Sequence, residues 1–237
     1  MNRRKLLTAG ALLGVPALGL PDRVLAQPAD DTDAPMIAAP SGAIVLFDGK
    51  DLSRWVSRKD NGPAGWKVEN GYAEIAPGSG DIYTRDTFGD FQLHVEWWLP
   101  HMPDARGQAR ANSGVYLQGK YEIQVLDSYG LESKDNDAGG IYKVAAPLRN
   151  ASKKPEKWQS YDIAFRAPRY DASGNLTEKV RVTVFHNGVM IHNNQEFDPQ
   201  VTTSGLPGDF TKPGPILLQD HGNRVRYRNI WLLPVKG

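Results

Sequence analysis

The chain has no cysteine among its 237 residues, which excludes disulfides, thiolate metal sites, cysteine nucleophiles and lipid attachment to sulfur. Neither sign of charge dominates, with 28 Lys+Arg against 27 Asp+Glu. The basic surplus that nucleic acid or an anionic membrane rewards is therefore missing, and neither is an expected partner. Sustained helical spacing is also lacking: no stretch repeats apolar residues at i, i+3, i+4 and i+7 between capping residues. Long apolar runs are scarce. The stretch from Leu6 to Leu20 is broken by Gly10, Gly14, Pro16 and Gly19 and is too short to span a bilayer comfortably.

That stretch follows paired arginines, Arg3-Arg4, and precedes Val24-Leu25-Ala26, whose small residues suit a signal-peptidase site. Residues 1–26 are thus expected to be a signal peptide of the twin-arginine type, and the chain to be periplasmic or secreted, with no membrane span after cleavage. The mature chain would carry 24 basic and 26 acidic residues. Residues 27–41, rich in Ala, Pro and Asp, read as a flexible lead-in. Residues 42–237 read as one domain.

What the chain has in quantity is turn residues, 24 Gly and 17 Pro, and short alternating segments. Asn70-Gly71 and Asn187-Gly188 each join two such segments, as a type I′ hairpin requires. Phe91, Leu93, Val95, Trp97 and Leu99 share one face of a strand, with His94 and Glu96 on the other. Residues 113–117 and 121–127 flank the turn Gln118-Gly119-Lys120. Tyr121, Ile123 and Val125 then face a core, while Glu122 and Gln124 share the opposite face. These patterns predict an all-β fold, a single two-sheet sandwich of roughly a dozen strands.

Polar groups on strand faces, with aromatic residues beside them, suit a polyhydroxylated ligand. Glu122, Gln124, His221 and the alternating Arg224, Arg226 and Arg228 supply hydrogen-bonding groups. Trp97, Trp98, Tyr116, Tyr142 and Trp158 are candidate stacking surfaces. Asp135-Asn136-Asp137, with Asp127, offers oxygen donors for a divalent metal but lacks the spacing of a calcium loop, so a solvated acidic loop is the expectation and no cofactor is required.

The segment Leu46-Phe47-Asp48-Gly49-Lys50-Asp51-Leu52 with Trp55 resembles the opening of the 3-keto-disaccharide hydrolase family, catalogued as domain of unknown function 1080. The resemblance continues through Asn112-Ser113-Gly114-Val115-Tyr116-Leu117, residues 121–127, Gly139-Gly140-Ile141-Tyr142, Trp158-Gln159, Leu218-Gln219-Asp220-His221-Gly222 and residues 225–230. These blocks keep the family's order across nearly the whole mature chain. Two positions depart from it: Gly140, where many relatives have alanine, and Gln159, where many have asparagine.

The resemblance implies a concanavalin-A-like jelly-roll β-sandwich. It also implies cleavage of glycosides already oxidised to a ketone at C3, by combined 3-keto-glucoside lyase and 3-keto-2-hydroxy-glucal hydratase steps. Such chemistry needs a base at C2, a stabiliser for the enolate oxygen and an acid at the leaving oxygen. The expected catalytic residues are Glu122 or His221 as base, with Tyr142 and Arg226. Asn112, Ser113, Gln124, Asp127, Lys143, Trp158 and Gln219 are expected to bind substrate. The substrate partner is a 3-keto-glycoside, and an upstream glycoside 3-oxidoreductase is expected to make it. Two alternatives stand: a non-catalytic carbohydrate-binding jelly roll, and an ordinary glycosidase using Glu96 with Glu122.

Overall fold

The computed structural model describes residues 32–235, so the expected signal peptide lies outside the described residues. Fifteen strands account for most of the regular structure. In chain order they are β1 (Ile44–Phe47), β2 (Trp55–Ser57), β3 (Lys67–Glu69), β4 (Tyr72–Glu74) and β5 (Ile82–Thr84). Next come β6 (Phe91–Trp98), β7 (Ser113–Leu117), β8 (Tyr121–Val125), β9 (Trp158–Arg166) and β10 (Arg169–Tyr170). The last five are β11 (Leu176–Glu178), β12 (Val180–His186), β13 (Val189–Phe197), β14 (Leu217–Leu218) and β15 (Arg226–Pro234). The only described helix is a single 3-10 turn, Gly107–Ala109, and none is long and apolar enough to cross a membrane.

Eight strands form a large antiparallel sheet in the order β13-β12-β9-β6-β15-β4-β3, with β1 also on β15. Five form a smaller sheet, β2-β5-β14-β7-β8, and β10 and β11 make a separate pair. The two large layers pack as the expected jelly-roll sandwich, and both Asn-Gly turns sit where predicted, joining β3 to β4 and β12 to β13. Asn70 and Asn187 have φ of 49° and 52°, the left-handed values that asparagine tolerates better than most residues.

Period-2 alternation decides what lies between the sheets. Phe91, Leu93, Val95 and Trp97 from β6 meet Tyr121, Ile123 and Val125 from β8 in one buried cluster, each such side chain contributing about 1.5–3 kcal/mol. Two hydrogen bonds cross the interior: Tyr227 with Ser113 (2.7 Å), and the Tyr161 hydroxyl to the Gln124 carbonyl (2.7 Å). They lock the register of one sheet over the other.

One expectation changes here. Part of the segment read as a flexible lead-in is held against the large sheet. Asp33 Oδ1 accepts from the Trp158 amide (2.9 Å), Ala34 N donates to the Trp158 carbonyl (2.9 Å), and the Ile37 carbonyl accepts from Asn229 and Trp231. Composition misses such a strap because, apart from Asp33 Oδ1, the strap's own bonding groups are main-chain ones, Ala34 N and the Ile37 carbonyl, which any sequence possesses.

Candidate active site

Because Tyr121, Ile123 and Val125 turn inward, Glu122 and Gln124 turn outward from the small sheet. The β7–β8 register sets Tyr116 opposite Glu122 and Gly114 opposite Gln124. The outward set on β7 is therefore Asn112, Gly114 and Tyr116. On one side β14 pairs Leu217 with Tyr116, and Gln219 N donates to the Gly114 carbonyl (3.1 Å). On the other side, residues 139–142 run along β8: Ile141 bridges Ile123 and Tyr142 N donates to the Glu122 carbonyl (3.1 Å). Tyr142 thus joins the face of Glu122.

Glycine at 114 has a steric reason. A Cβ there would stand 2.4 Å from Glu122 Oε1 and 2.9 Å from the Tyr116 ring. The carboxyl fills the space a side chain would need.

Glu122 is 2 % exposed. Burial pushes its carboxyl up to about 8 from an ordinary 4.5, with the Tyr116 hydroxyl opposing the rise and Asp81 adding to it. The group is therefore mostly protonated at neutral pH. The Tyr116 hydroxyl donates to the Thr203 carbonyl (2.9 Å) and accepts from Gln219 Nε2 (3.0 Å). Its single proton can serve either Thr203 or an ionised Glu122, which couples the two groups. Asp81, the nearby carboxylate, is committed to Arg58 (2.8 Å) and to the Asp220 amide (2.9 Å).

His221 is exposed in the turn after β14. Asp220 pins that turn by accepting from the amides of Gly78, Gly80 and Gly222. Lys143 is exposed at the other rim, its Nζ 5.4 Å from the centre of the Tyr142 ring. Thus Glu122, Gln124, Asn112, Gln219 and Tyr142 share one face, with Lys143 and His221 on loops at its borders.

Four expected members lie elsewhere or are otherwise engaged. Ser113 points inward, donating to the Gln219 carbonyl (2.6 Å) and bonding Tyr227. Asp127 lies past the end of β8 and pairs with Arg110 (2.8 Å). Arg226 and Trp158 are on the outer face of the opposite sheet. Tyr227 reaches inward to Ser113, so its neighbours Arg226 and Arg228 must point outward from β15. Arg226 bonds Glu74 (2.7 Å) and stacks on Trp98 and Tyr72 at 4.1 and 4.7 Å. Arg228 lies 4.1 Å over Trp158. The ring faces a sugar would stack on are taken by guanidinium groups, so this layer is a cation–π ladder.

This placement has a measurable consequence. Arg226→Ala should leave turnover within about twofold of the parent, because nothing at Glu122 touches it. It should still lower stability by roughly 1–3 kcal/mol, since buried Glu74 keeps only exposed Arg224 as its cationic partner. Thermal unfolding beside an activity assay checks both halves.

The Glu96–Glu122 pair fails on geometry. Glu96 is outward on β6, bonded by His94 (3.3 Å), Arg228 (2.6 Å) and Asn229 (2.6 Å). Burial would lower the His94 imidazole, but its bonds to Asp162 and Glu96 outweigh that and raise it to about 8. The two glutamates stand on opposite outer faces, separated by two sheets about 10 Å apart, farther than the roughly 5–9.5 Å a glycosidase pair requires.

Among the described residues, no three His, Asp or Glu side chains gather as a metal site. The 135–137 loop instead offers main-chain carbonyls, Asp135 to Lys143 N (3.0 Å) and Asn136 to Gln108 Nε2 (2.8 Å). Gly140 belongs to this packing, since a Cβ there would lie 2.5 Å from the Asp135 carbonyl oxygen. Gln159 does not border the face. It is buried in the large sheet, 2.9 Å from His186 Nε2.

Alternation alone also left Gln108 and Asp81 out of the expected set, and Tyr116 was expected only as a stacking surface, not as the hydroxyl opposite Glu122 that bonds Gln219. For Tyr116 the signal was present, since Asn112, Gly114 and Tyr116 alternate as Glu122 and Gln124 do.

The 3-keto-alpha-glucoside-1,2-lyase-like domain model matches residues 42–233. A solved structure of a candidate glycosyl hydrolase from Parabacteroides distasonis ATCC 8503 is 41 % identical, with TM-score 0.76, covering 86 % of this chain and 90 % of that one. A second from the same organism is 20 % identical with TM-score 0.58, over 85 % of this chain and 99 % of that one. The second is alike in fold alone. No curated protein matches the chain. With the family model covering nearly the whole sandwich, including β8 with Glu122 on the outer side of the small sheet, the chain belongs to the 3-keto-alpha-glucoside-1,2-lyase-like domain family.

Proposed function

We propose that the protein cleaves the glycosidic bond of 3-keto-glycosides by elimination and hydration, at the outer face of the small sheet. The observation that carries this reading is a buried carboxyl held largely protonated near neutrality among carboxamides and tyrosines. A neutral carboxyl is a proton donor, so Glu122 is assigned to the leaving oxygen and not to C2. His221, exposed at the border of the face, takes the C2 proton.

The steps balance without an outside oxidant. The C3 ketone acidifies C2–H. His221 removes that proton, and the C–H electron pair forms an enolate whose oxygen Lys143 stabilises. The enolate collapses, the C1–O bond breaks, and Glu122 gives its proton to the departing aglycone oxygen. Water then adds across the resulting 2-hydroxy-glucal, returning a 3-keto sugar, and the net change is hydrolysis. Tyr142 lies beside Glu122 and supplies a second hydroxyl or a stacking surface. The ketone must be made by an oxidoreductase acting earlier, since an unoxidised glycoside lacks the acidic C2 hydrogen. The paired arginines and small residues of the N-terminal 26 support an exported enzyme.

The test is to incubate purified protein with a glucoside and with its 3-keto analogue. Release of aglycone from the ketone alone is the expected result. Release from both would point to an ordinary glycosidase, and binding without release to a carbohydrate-binding module.

A further inference from the structure

Gln108, in the Gly107–Ala109 turn, has no part in the chemistry above. Its Nε2 donates to the Asn136 carbonyl (2.8 Å). A carbonyl only accepts, so this bond fixes which end of the Gln108 amide is nitrogen. Oε1 therefore faces the other way, accepting from Gln124 Nε2 (2.9 Å) and Asn112 Nδ2 (3.2 Å). Asn112 Nδ2 also donates to the Gln108 main-chain carbonyl (2.8 Å), and Gln124 Nε2 approaches the Asn136 carbonyl (3.4 Å). Both nitrogens are thus committed. Asn112 Oδ1 and Gln124 Oε1 are buried with no hydrogen-bond partner, on residues that are each 1 % exposed.

A buried acceptor without a donor is costly, and two on one side of an anchoring amide call for a cause. We infer that Gln108 is a positioning residue that sets the polarity of the sugar site, holding two carbonyl oxygens for the hydroxyls of a neutral sugar and against a carboxylate. This rests on reading the face as a glycoside site and names the substrate class: neutral hexosides, not uronides. A hydroxyl gives each oxygen the donor it lacks, whereas a carboxylate brings only further acceptors and like partial charge. Both oxygens are screened from solvent in the free protein, so a docking hydroxyl displaces a neighbouring side chain to reach them.

The experiment compares kcat/KM of the full chain on a 3-keto-glucoside and the matching 3-keto-glucuronide, for the parent, Gln108→Leu and Gln108→Glu. Methyl glucoside and methyl glucuronide are titrated in parallel. The parent should prefer the neutral sugar by at least roughly tenfold, the scale set by leaving a buried acceptor unpaired. Gln108→Leu removes the oxygen that both amides share, leaving Asn112 Nδ2 on the Gln108 main-chain carbonyl and Gln124 Nε2 on the long Asn136 contact alone. The amides are then held less firmly, and the preference should fall towards unity through KM, with kcat little changed. Gln108→Glu still accepts from both amides and should retain the preference. A residue needed only for folding would weaken both sugars alike in both variants. Equal use of the two ketones by the parent, or an unchanged preference in Gln108→Leu, overturns the inference while leaving the reaction standing. Cleavage of neither ketone, with binding of neither methyl glycoside, removes the glycoside reading itself.

Discussion

Glu122→Gln should lower turnover of a 3-keto-glucoside by about two to four orders of magnitude, the range for removing an acid–base group, while making the protein more stable at alkaline pH. The two effects share one cause. Burial raises the folded carboxyl from 4.5 to about 8, so the folded state favours the protonated form. The stability this contributes is fully present below pH 4.5 and is lost as pH rises towards about 8. The parent should therefore lose stability across that window, by a few kcal/mol on the scale of 1.36 kcal/mol per pKa unit. Glutamine is isosteric and never ionises, so the variant should lack this decline. Urea unfolding at several pH values, for parent and variant, measures it. An unchanged pH slope in the variant would mean that Glu122 is not the buried titrating group.

Gly114→Ala is expected to be nearly as damaging to turnover as the loss of the carboxyl, although it removes no functional atom. The new methyl would lie 2.4 Å from Glu122 Oε1, closer than any non-bonded contact allows. The carboxyl must swing away from Tyr116, and a misplacement of about 1 Å costs roughly a hundredfold in rate. Overpacking of this kind also costs about 1–3 kcal/mol. The discriminating measurement is the double variant. If Gly114→Ala acts only by displacing Glu122, adding it to Glu122→Gln should leave the remaining rate almost unchanged, because the two changes then act on one contact. Additive losses would place the fault elsewhere in the face.

The sequence made the strand faces legible and left the assembly of the site hidden, for a physical reason. Alternation says whether a side chain points into the core or away from it, and for Glu122, Gln124 and Arg226 it did so correctly. A sandwich has two outward faces, however, and period 2 carries no label for which one. Arg226 and Glu122 therefore looked like partners although a double layer of sheet separates them. Ser113 was placed in the site through its neighbours in the motif, yet its own parity pointed inward to Tyr227. The contacts of Gln108 with Asn136, and of Tyr116 with Thr203, bring together residues 28 and 87 positions apart. No local pattern specifies pairings of that span. Aromatic residues were a further source of error, because Trp158 has its ring face filled by Arg228, and stacking capacity cannot be read from residue type.

The strap of residues 33–37 holds the first described residues on one side of the sandwich. Its bonds to Trp158, Asn229 and Trp231 tie it to the outer side of the large sheet, whereas Glu122 opens on the small one. A protein immobilised at Thr32 would thus be oriented with the face proposed as reactive turned away from the support. Attachment at the turn carrying His221 would press that face against it. For a surface display or a bead-bound catalyst, the N-terminal side is the attachment point that leaves a bulky aglycone free to approach.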